Sequence, residues 1–405
     1  MRQATRILLL IYVFTIPWEY SLDLGAPFGN IARIVGLLLL TVAVYAVLLA
    51  GKIHTPDPLQ WLVLAMYLWF TCTCFWTIEP MVAAAKLRGY AQAMMVVWFL
   101  WEFIADHHGL RDILRMWLAG SWVLAALTIA DLSFAHATAA GQVRFAAVGH
   151  DPNDVARFLD LGFPVAALLL DWEPQWPSRV LAIGYIPLGV AAVLLTASRG
   201  GFLAALVAMI GCGAALYRKH FRMVLFGFFA LPIVPTAVWF LAPHETLMRL
   251  ATIGGQLQGG DMNQRLNIWE AGWRAFARAP FLGHGVGSFV RVAGLASGDT
   301  AHNTALSLLV ETGVLGFSLA FAVLAVSINS ALRIRGTFRT SLLTLISVWI
   351  VSSMVGTVLE SRTTWLMFGV IALAGRPTFQ QGKRVLTMSP STKRVPDDAA
   401  IVRAR

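Results

Sequence analysis

Three short stretches of this 405-residue chain carry groups that could hold an oxyanion and move a proton. In Thr196-Ala197-Ser198-Arg199-Gly200-Gly201, two apolar runs meet with almost no loop between them. Ser198 can cap the second run, whose helix N-terminus attracts anions, and Arg199 is held beside it with little freedom. In the second stretch, Arg265 sits one turn before Trp269, on the apolar side of an amphipathic segment, where a lone guanidinium needs an anionic partner. In the third, His302-Asn303 stands at the mouth of another apolar run. Asn303 is a natural N-cap, and His302 beside it can accept a proton from a hydroxyl. Guanidinium forks match phosphate oxygens, so two arginines with one imidazole suit phosphate-ester chemistry. Each feature also has a plainer reading: a snorkelling arginine, a headgroup contact, a structural histidine.

Other residues belong with these. Glu311 lies two turns inside the run opened by Asn303 and is an expensive buried acid. It is expected to pair with an arginine such as Arg199, or to orient His302 indirectly. Lys86 and Arg88 precede the fourth apolar run on the same side. Seven cations (Arg33, Lys86, Arg88, Arg144, Arg157, Arg199 and Arg362) sit where membrane orientation disfavours positive charge. Pairing with Glu19, Glu79, Asp154 or Glu360 explains any single one, whereas the set together points to an anion site. Gly149-His150-Asp151-Pro152-Asn153-Asp154 contains metal-ligand types. Asp-Pro at a helix start is better read as an N-cap with proline at the first position, and Asp154 as its capping-box acid. No acidic pair has clear metal spacing, so no metal is expected. Pro280 and the glycine-rich 283–287 stretch read as a tight turn.

The elements that must position these groups are membrane helices. The chain is 58% hydrophobic and 13% charged, with a mean hydropathy of +0.69. Soluble domains carry about a quarter charged residues, so a membrane protein is the class that fits. Apolar runs fall at 7–20, 31–50, 60–77, 89–105, 112–131, 153–171, 179–196, 201–217, 221–241, 304–332, 340–358 and 361–375. They predict about twelve transmembrane helices in an all-α fold. The first run has no small-residue cleavage site after it and reads as a retained helix. Residues 1–241 then hold helices one to nine, 242–303 form a long outer loop, and 304–375 hold helices ten to twelve. Within the loop, 264–279 predicts an amphipathic helix on the membrane surface, with Trp269, Gly272, Trp273 and Phe276 on its apolar face. Cys72, Cys74 and Cys212 all lie in apolar runs and read as small core residues.

The net charge of +10 does not indicate nucleic acid. Nineteen of the 31 Lys and Arg lie in one set of alternate loops and in the tail, which places both termini in the cytoplasm. Residues 376–405, rich in Pro, Ser, Lys, Asp and Arg, read as a disordered basic tail. No soluble catalytic domain is visible, so the site must be assembled from helix ends and the 242–303 loop.

On Ser198-Arg199-Gly200-Gly201, Arg265 with Trp269, Pro280 with Gly283-His284-Gly285-Val286-Gly287, and His302-Asn303 with Glu311 and Gly313, the sequence resembles the O-antigen ligase family of lipopolysaccharide assembly. It is also similar to the wider superfamily of O-antigen polymerases and bacterial O-oligosaccharyltransferases. The resemblance covers roughly residues 145–320. It implies a GT-C-like glycosyltransferase of the bacterial inner membrane with a periplasmic active site, using no cofactor or metal. The implied donor is undecaprenyl-diphosphate-linked O-antigen, and the acceptor a sugar of the lipid A-core. Arg199 and Arg265 would face the diphosphate, His302 would activate the acceptor, and Lys86, Arg88, Asn303 and Glu311 would support substrate binding. One long outer loop and a short tail favour the ligase over the polymerase or the protein-glycosylating relatives. A lipid-linked glycan transporter is the non-enzymatic alternative. Transporters place charges at the bilayer midplane, whereas most charges here gather at one edge.

Overall fold

The computed structural model describes residues 1–25, 28–138, 143–172, 175–252 and 265–376. Those residues form an all-helical bundle with one isolated bridge, between Asp23 and Asn30. The long helices are α1 (Arg2–Thr15), α2 (Ile31–Ala50), α3 (Pro58–Thr73), α4 (Pro80–Phe103), α5 (His107–Thr138), α6 (Pro152–Trp172) and α7 (Trp176–Leu195). They continue with α8 (Arg199–Ala230) and α9 (Ile233–Leu241). Three short helices follow: α10 (His244–Ala251), α11 (Arg265–Arg278) and α12 (Phe289–Ala293). The chain closes with α13 (Thr304–Leu332), α14 (Thr337–Val355) and α15 (Arg362–Gly375). Among the described residues, six helical segments are long and apolar enough to cross a membrane.

A helix stands at each of the twelve apolar runs. The eighth and ninth are nearly continuous, and the junction between them is the non-helical residue His220. Lys219 reaches Asp171 at the C-terminal end of α6, whereas Arg199 bonds back to Arg249 and Thr252 beyond α9. The chain therefore reverses at His220, and 221–241 returns along the bundle. α6 and α15 are the central helices, buried along nearly their whole length. α2 and the α8–α9 hairpin lie at the periphery and expose Leu48, Phe226, Phe228 and Phe240. Only one cysteine behaves as core: Cys212 is buried, whereas Cys72 is exposed, correcting the reading of all three as core residues. Nothing in periodicity distinguishes an apolar helix face that meets protein from one that meets lipid.

Ion pairs gather at both ends of the bundle. At the end holding the N-terminus of α1, Arg6 pairs with Asp112 and Arg2 with Glu102. The other end collects the 16–25, 28–30, 74–79, 143–151, 196–198 and 356–361 connections together with α10 to α12. The tail after Arg376 and residues 253–264 of the long loop lie outside the described residues.

Candidate active site

The local devices that place the site are caps. Ser198 accepts a hydrogen bond from the Gly201 amide and starts α8. Ala197 before it is held at φ 47°, a left-handed conformation that costs a non-glycine residue. Gly201 is required here, because a Cβ would stand 2.3 Å from the Ala156 Cβ of α6. Asp151 accepts from the Asn153 amide with Pro152 at the first helical position, as the cap reading of this stretch expected. Asp154, however, is an ion partner of Arg157, so its carboxylate faces along the helix. Asn303 accepts from the Leu306 amide at 2.9 Å and opens α13, which leaves His302 at φ 46° just outside the cap. His150, the other metal-ligand type in that segment, packs edge-on against Tyr20 and Phe158.

The basic groups converge. Arg199 donates to the carbonyl of Arg249 and to Thr252 Oγ1, tying α8 to the end of α10. Arg144 bonds the Thr196 carbonyl and Asn153 Oδ1, joining the 143–151 segment to the starts of α6 and α8. Burial lowers the Arg265 guanidinium below its ordinary value, and Arg199 lowers it further. Arg144 is lowered by burial and by Arg249, Arg265 and Arg199. His302, half-buried, is pushed below its usual 6.5 by desolvation, then by Arg265 and Arg157, with Asp151 and Asp299 opposing. Mutual repulsion of this kind requires proximity. Arg144 thus lies within electrostatic range of Arg199, Arg249 and Arg265, and His302 within range of Arg265 and Arg157. Asp151 lies within range of Arg144, Arg265 and His302, and Asp154 pairs with Arg157, so acids beside the arginines supply part of the counter-charge.

Of the residues that sequence reasoning brought forward, Arg265 lies within electrostatic range of both Arg199 and His302. That reasoning gave no individual role to Arg144, Arg157 or Arg249. Their signal was present: two are cations at helix ends on the side where orientation rules disfavour them.

Lys86 reaches a cavity lined by His302 through its partner Glu360. Lys86 binds Glu311 at 3.1 Å and Glu360 at 3.0 Å, and Arg88 is exposed on another side of α4. This corrects the expected partner of Glu311, which is Lys86 and not Arg199. The physical reason lies in α13, which breaks at Gly313 (φ 67°, ψ −172°) and turns Glu311 toward α4. The carbonyls of Val310 and Glu311 accept from the amides of His284 and Gly285, and that of Thr312 from the Trp69 indole. The 283–287 turn thus patches the broken helix. His284 Nε2 also lies 2.8 Å from the Ala275 carbonyl and ties the patch to α11. Of the expected acid partners, Glu19 holds Arg362, Asp154 holds Arg157 and Glu360 holds Lys86.

Because the Glu311 side chain is only 4% exposed, Lys86→Met is expected to lower stability by about 3 kcal/mol. The double change Lys86→Met/Glu311→Gln should recover part of the loss. Thermal unfolding in detergent measures both. Unchanged stability in Lys86→Met would remove this structural role.

α11 divides its surface between a face packed on the bundle and a face left open. Ile268, Gly272 and Ala275 are buried against Phe289, Ala301, Leu306 and Val310, whereas Trp273 is exposed. Gly272 allows this approach, since a Cβ would stand 2.8 Å from Leu306. Trp269 donates its indole N–H to the Ala301 carbonyl, fixing Arg265, one turn before it, beside the His302 segment. Among the described residues, no three His, Cys, Asp or Glu side chains gather as metal ligands.

No curated protein and no solved structure matches this chain. A family model does match, over residues 185–321, about a third of the length. That segment, which carries Ser198, Arg199, Arg265, the glycine patch, His302 and the break at Gly313, is similar to the O-antigen ligase family.

Proposed function

We propose that this protein is an O-antigen ligase of the bacterial inner membrane, transferring a glycan from undecaprenyl diphosphate to a lipid A-core sugar on the periplasmic face. The observation that carries the reading is Arg265, which lies within electrostatic range of Arg199, Arg144 and His302 and is fixed beside the His302 segment by the Trp269–Ala301 hydrogen bond. In this reading the polypeptide crosses the membrane twelve times with both termini in the cytoplasm. The 242–303 loop is periplasmic, and α11 offers Trp273 and Leu266 to the bilayer surface.

The chemistry follows from charge. The acceptor hydroxyl oxygen attacks the anomeric carbon while the bond from that carbon to the diphosphate oxygen breaks. The bonding pair leaves on the diphosphate, and the hydroxyl proton passes to the His302 ring. Attack opposite the leaving group inverts the anomeric centre. Negative charge grows on the diphosphate in the transition state, so Arg199 and Arg265 contribute more there than in the ground state. Burial and neighbouring cations keep His302 neutral and able to take the proton.

The test is transfer by purified protein in detergent, with lipid-linked glycan and lipid A-core supplied. Product formed without a closed membrane separates catalysis from transport. Arg199→Ala and Arg265→Ala are each expected to cut the rate by about 10²–10³-fold. Correctly folded variants that transfer at near wild-type speed would remove the diphosphate assignment.

A further inference from the structure

A groove of about 100 Å³ lies between α2 and α4, and Arg199, Arg265 and His302 do not line it. Gly36, Leu37 and Leu40 form one wall, Ala91 and Met95 the other, and all five keep accessible surface. Gly36 lets α2 approach α1, because a Cβ there would stand 3.0 Å from the Tyr12 ring. From Arg33 to Leu40 the α2 wall spans about 10 Å of helix. α2 lies at the periphery of the bundle, with Leu37 49% exposed. An apolar slot open to lipid is filled by a hydrocarbon chain, because an empty one forfeits dispersion contacts along its walls.

Both walls carry a cation at their outer end. α2 and α4 start from the 28–30 and 74–79 connections, at the end of the bundle that also holds α10 to α12. Arg33 heads the α2 wall, and its guanidinium lies over Gly29, with Nη1 3.1 Å from where a Cβ would be. Arg88 is exposed one turn outside Gln92, on the α4 stripe that continues through Met95. Acids at this end are committed elsewhere: Glu19 to Arg362, Glu360 to Lys86, Glu79 to Arg291 and Asp23 to the Gly25 amide. Among the described residues, neither Arg33 nor Arg88 has an ion-pair partner. Arg362 also lines the groove, but Glu19 balances its charge.

Gln92 narrows the choice of lipid. Its carboxamide oxygen accepts from Arg362 Nη2 at 2.8 Å, which leaves the half-buried N–H₂ group to donate to a ligand. That donor sits one turn inside Arg88, where the ester carbonyl of a glycerolipid follows its phosphate. An isoprenoid phosphate has no such carbonyl.

We propose that the α2–α4 groove is a binding site for one anionic glycerophospholipid. One acyl chain lies between Leu37, Leu40 and Met95, the phosphodiester between Arg33 and Arg88, and an ester carbonyl against the Gln92 amide. The site is separate from the candidate active site and does not depend on the ligase reading.

Native mass spectrometry of the delipidated full chain in detergent tests this without requiring turnover. Phosphatidylglycerol, phosphatidylcholine of the same chains, ether-linked phosphatidylglycerol and undecaprenyl phosphate are added in turn. Phosphatidylglycerol is expected to bind about tenfold more tightly than phosphatidylcholine, a preference that Arg33→Gln/Arg88→Gln abolishes. The ether-linked lipid should bind about fivefold more weakly for want of one hydrogen bond. Leu37→Trp, a change at an exposed position that fills the groove, should weaken phosphatidylglycerol binding by about tenfold, and it remains readable if the arginine variant does not fold. Equal binding of the two diacyl lipids, a preference retained in the folded arginine variant, or binding unchanged in Leu37→Trp would each overturn the proposal. Equal binding of the ether-linked lipid, or displacement of phosphatidylglycerol by an equal concentration of undecaprenyl phosphate, would overturn it in favour of a chain without esters.

Discussion

His302→Ala is expected to slow transfer by about 10²–10⁴-fold while leaving donor binding intact, the range lost when a positioned general base is removed. The side chain is held by its backbone as much as by its neighbours. Asn303 caps α13, and that geometry places His302 in the left-handed region. The pH profile provides a second signature. Desolvation and the charges of Arg265 and Arg157 lower the imidazole below 6.5, so the neutral form survives into mildly acidic solution. The wild-type rate should therefore be flat near neutrality and fall on an acid limb lying below 6.5, because protonated imidazole cannot accept the hydroxyl proton. Arg265 is the largest charge acting on that ring, so Arg265→Ala should move the limb toward higher pH as well as lower the rate. An acid limb that is unchanged in His302→Ala would assign the titration to another group and end the base assignment.

Local features were legible in the sequence because their causes are local. Ser198, Asp151 and Asn303 each satisfy an amide two or three residues away, and a cap can be read from residue type and the start of an apolar run. The apolar runs mark the helices for the same reason. What was not legible depends on partners far apart in the chain. Lys86 and Glu311 are 225 residues apart, and no spacing rule joins them. Which residues of α11 pack on Leu306 and Phe289 depends on those distant partners and not on the moment of the isolated segment. Arg249 lies in a helix of eight residues inside the long loop, and its role becomes visible only when α10 is seen returning to Arg199. The break in α13 was missed because a single glycine in an apolar run is usually tolerated as ordinary helix.

That break carries the second large effect expected. Gly313→Ala should destabilise the fold by roughly 3–5 kcal/mol, combining backbone strain with loss of the hydrogen bonds that patch the helix. At φ 67° an alanine is strained in any surroundings, and here its Cβ would stand 2.1 Å from the Phe281 carbonyl oxygen. The obstruction is backbone, so no side-chain rotation relieves it. Relief requires the 281–285 turn to withdraw, which releases the amides of His284 and Gly285 from α13 and frees Glu311 to leave Lys86. Gly294→Ala is the matched control: its φ is 69°, but nothing lies within 4 Å of the added Cβ. It should cost only the left-handed strain, about 1–2 kcal/mol. Thermal unfolding of the two variants in the same detergent compares them directly. Similar losses would mean that the glycine patch yields without cost. A much larger loss at Gly313 would mean that α13 is held in its broken form by the turn beneath it, and that the position of Glu311 depends on that turn.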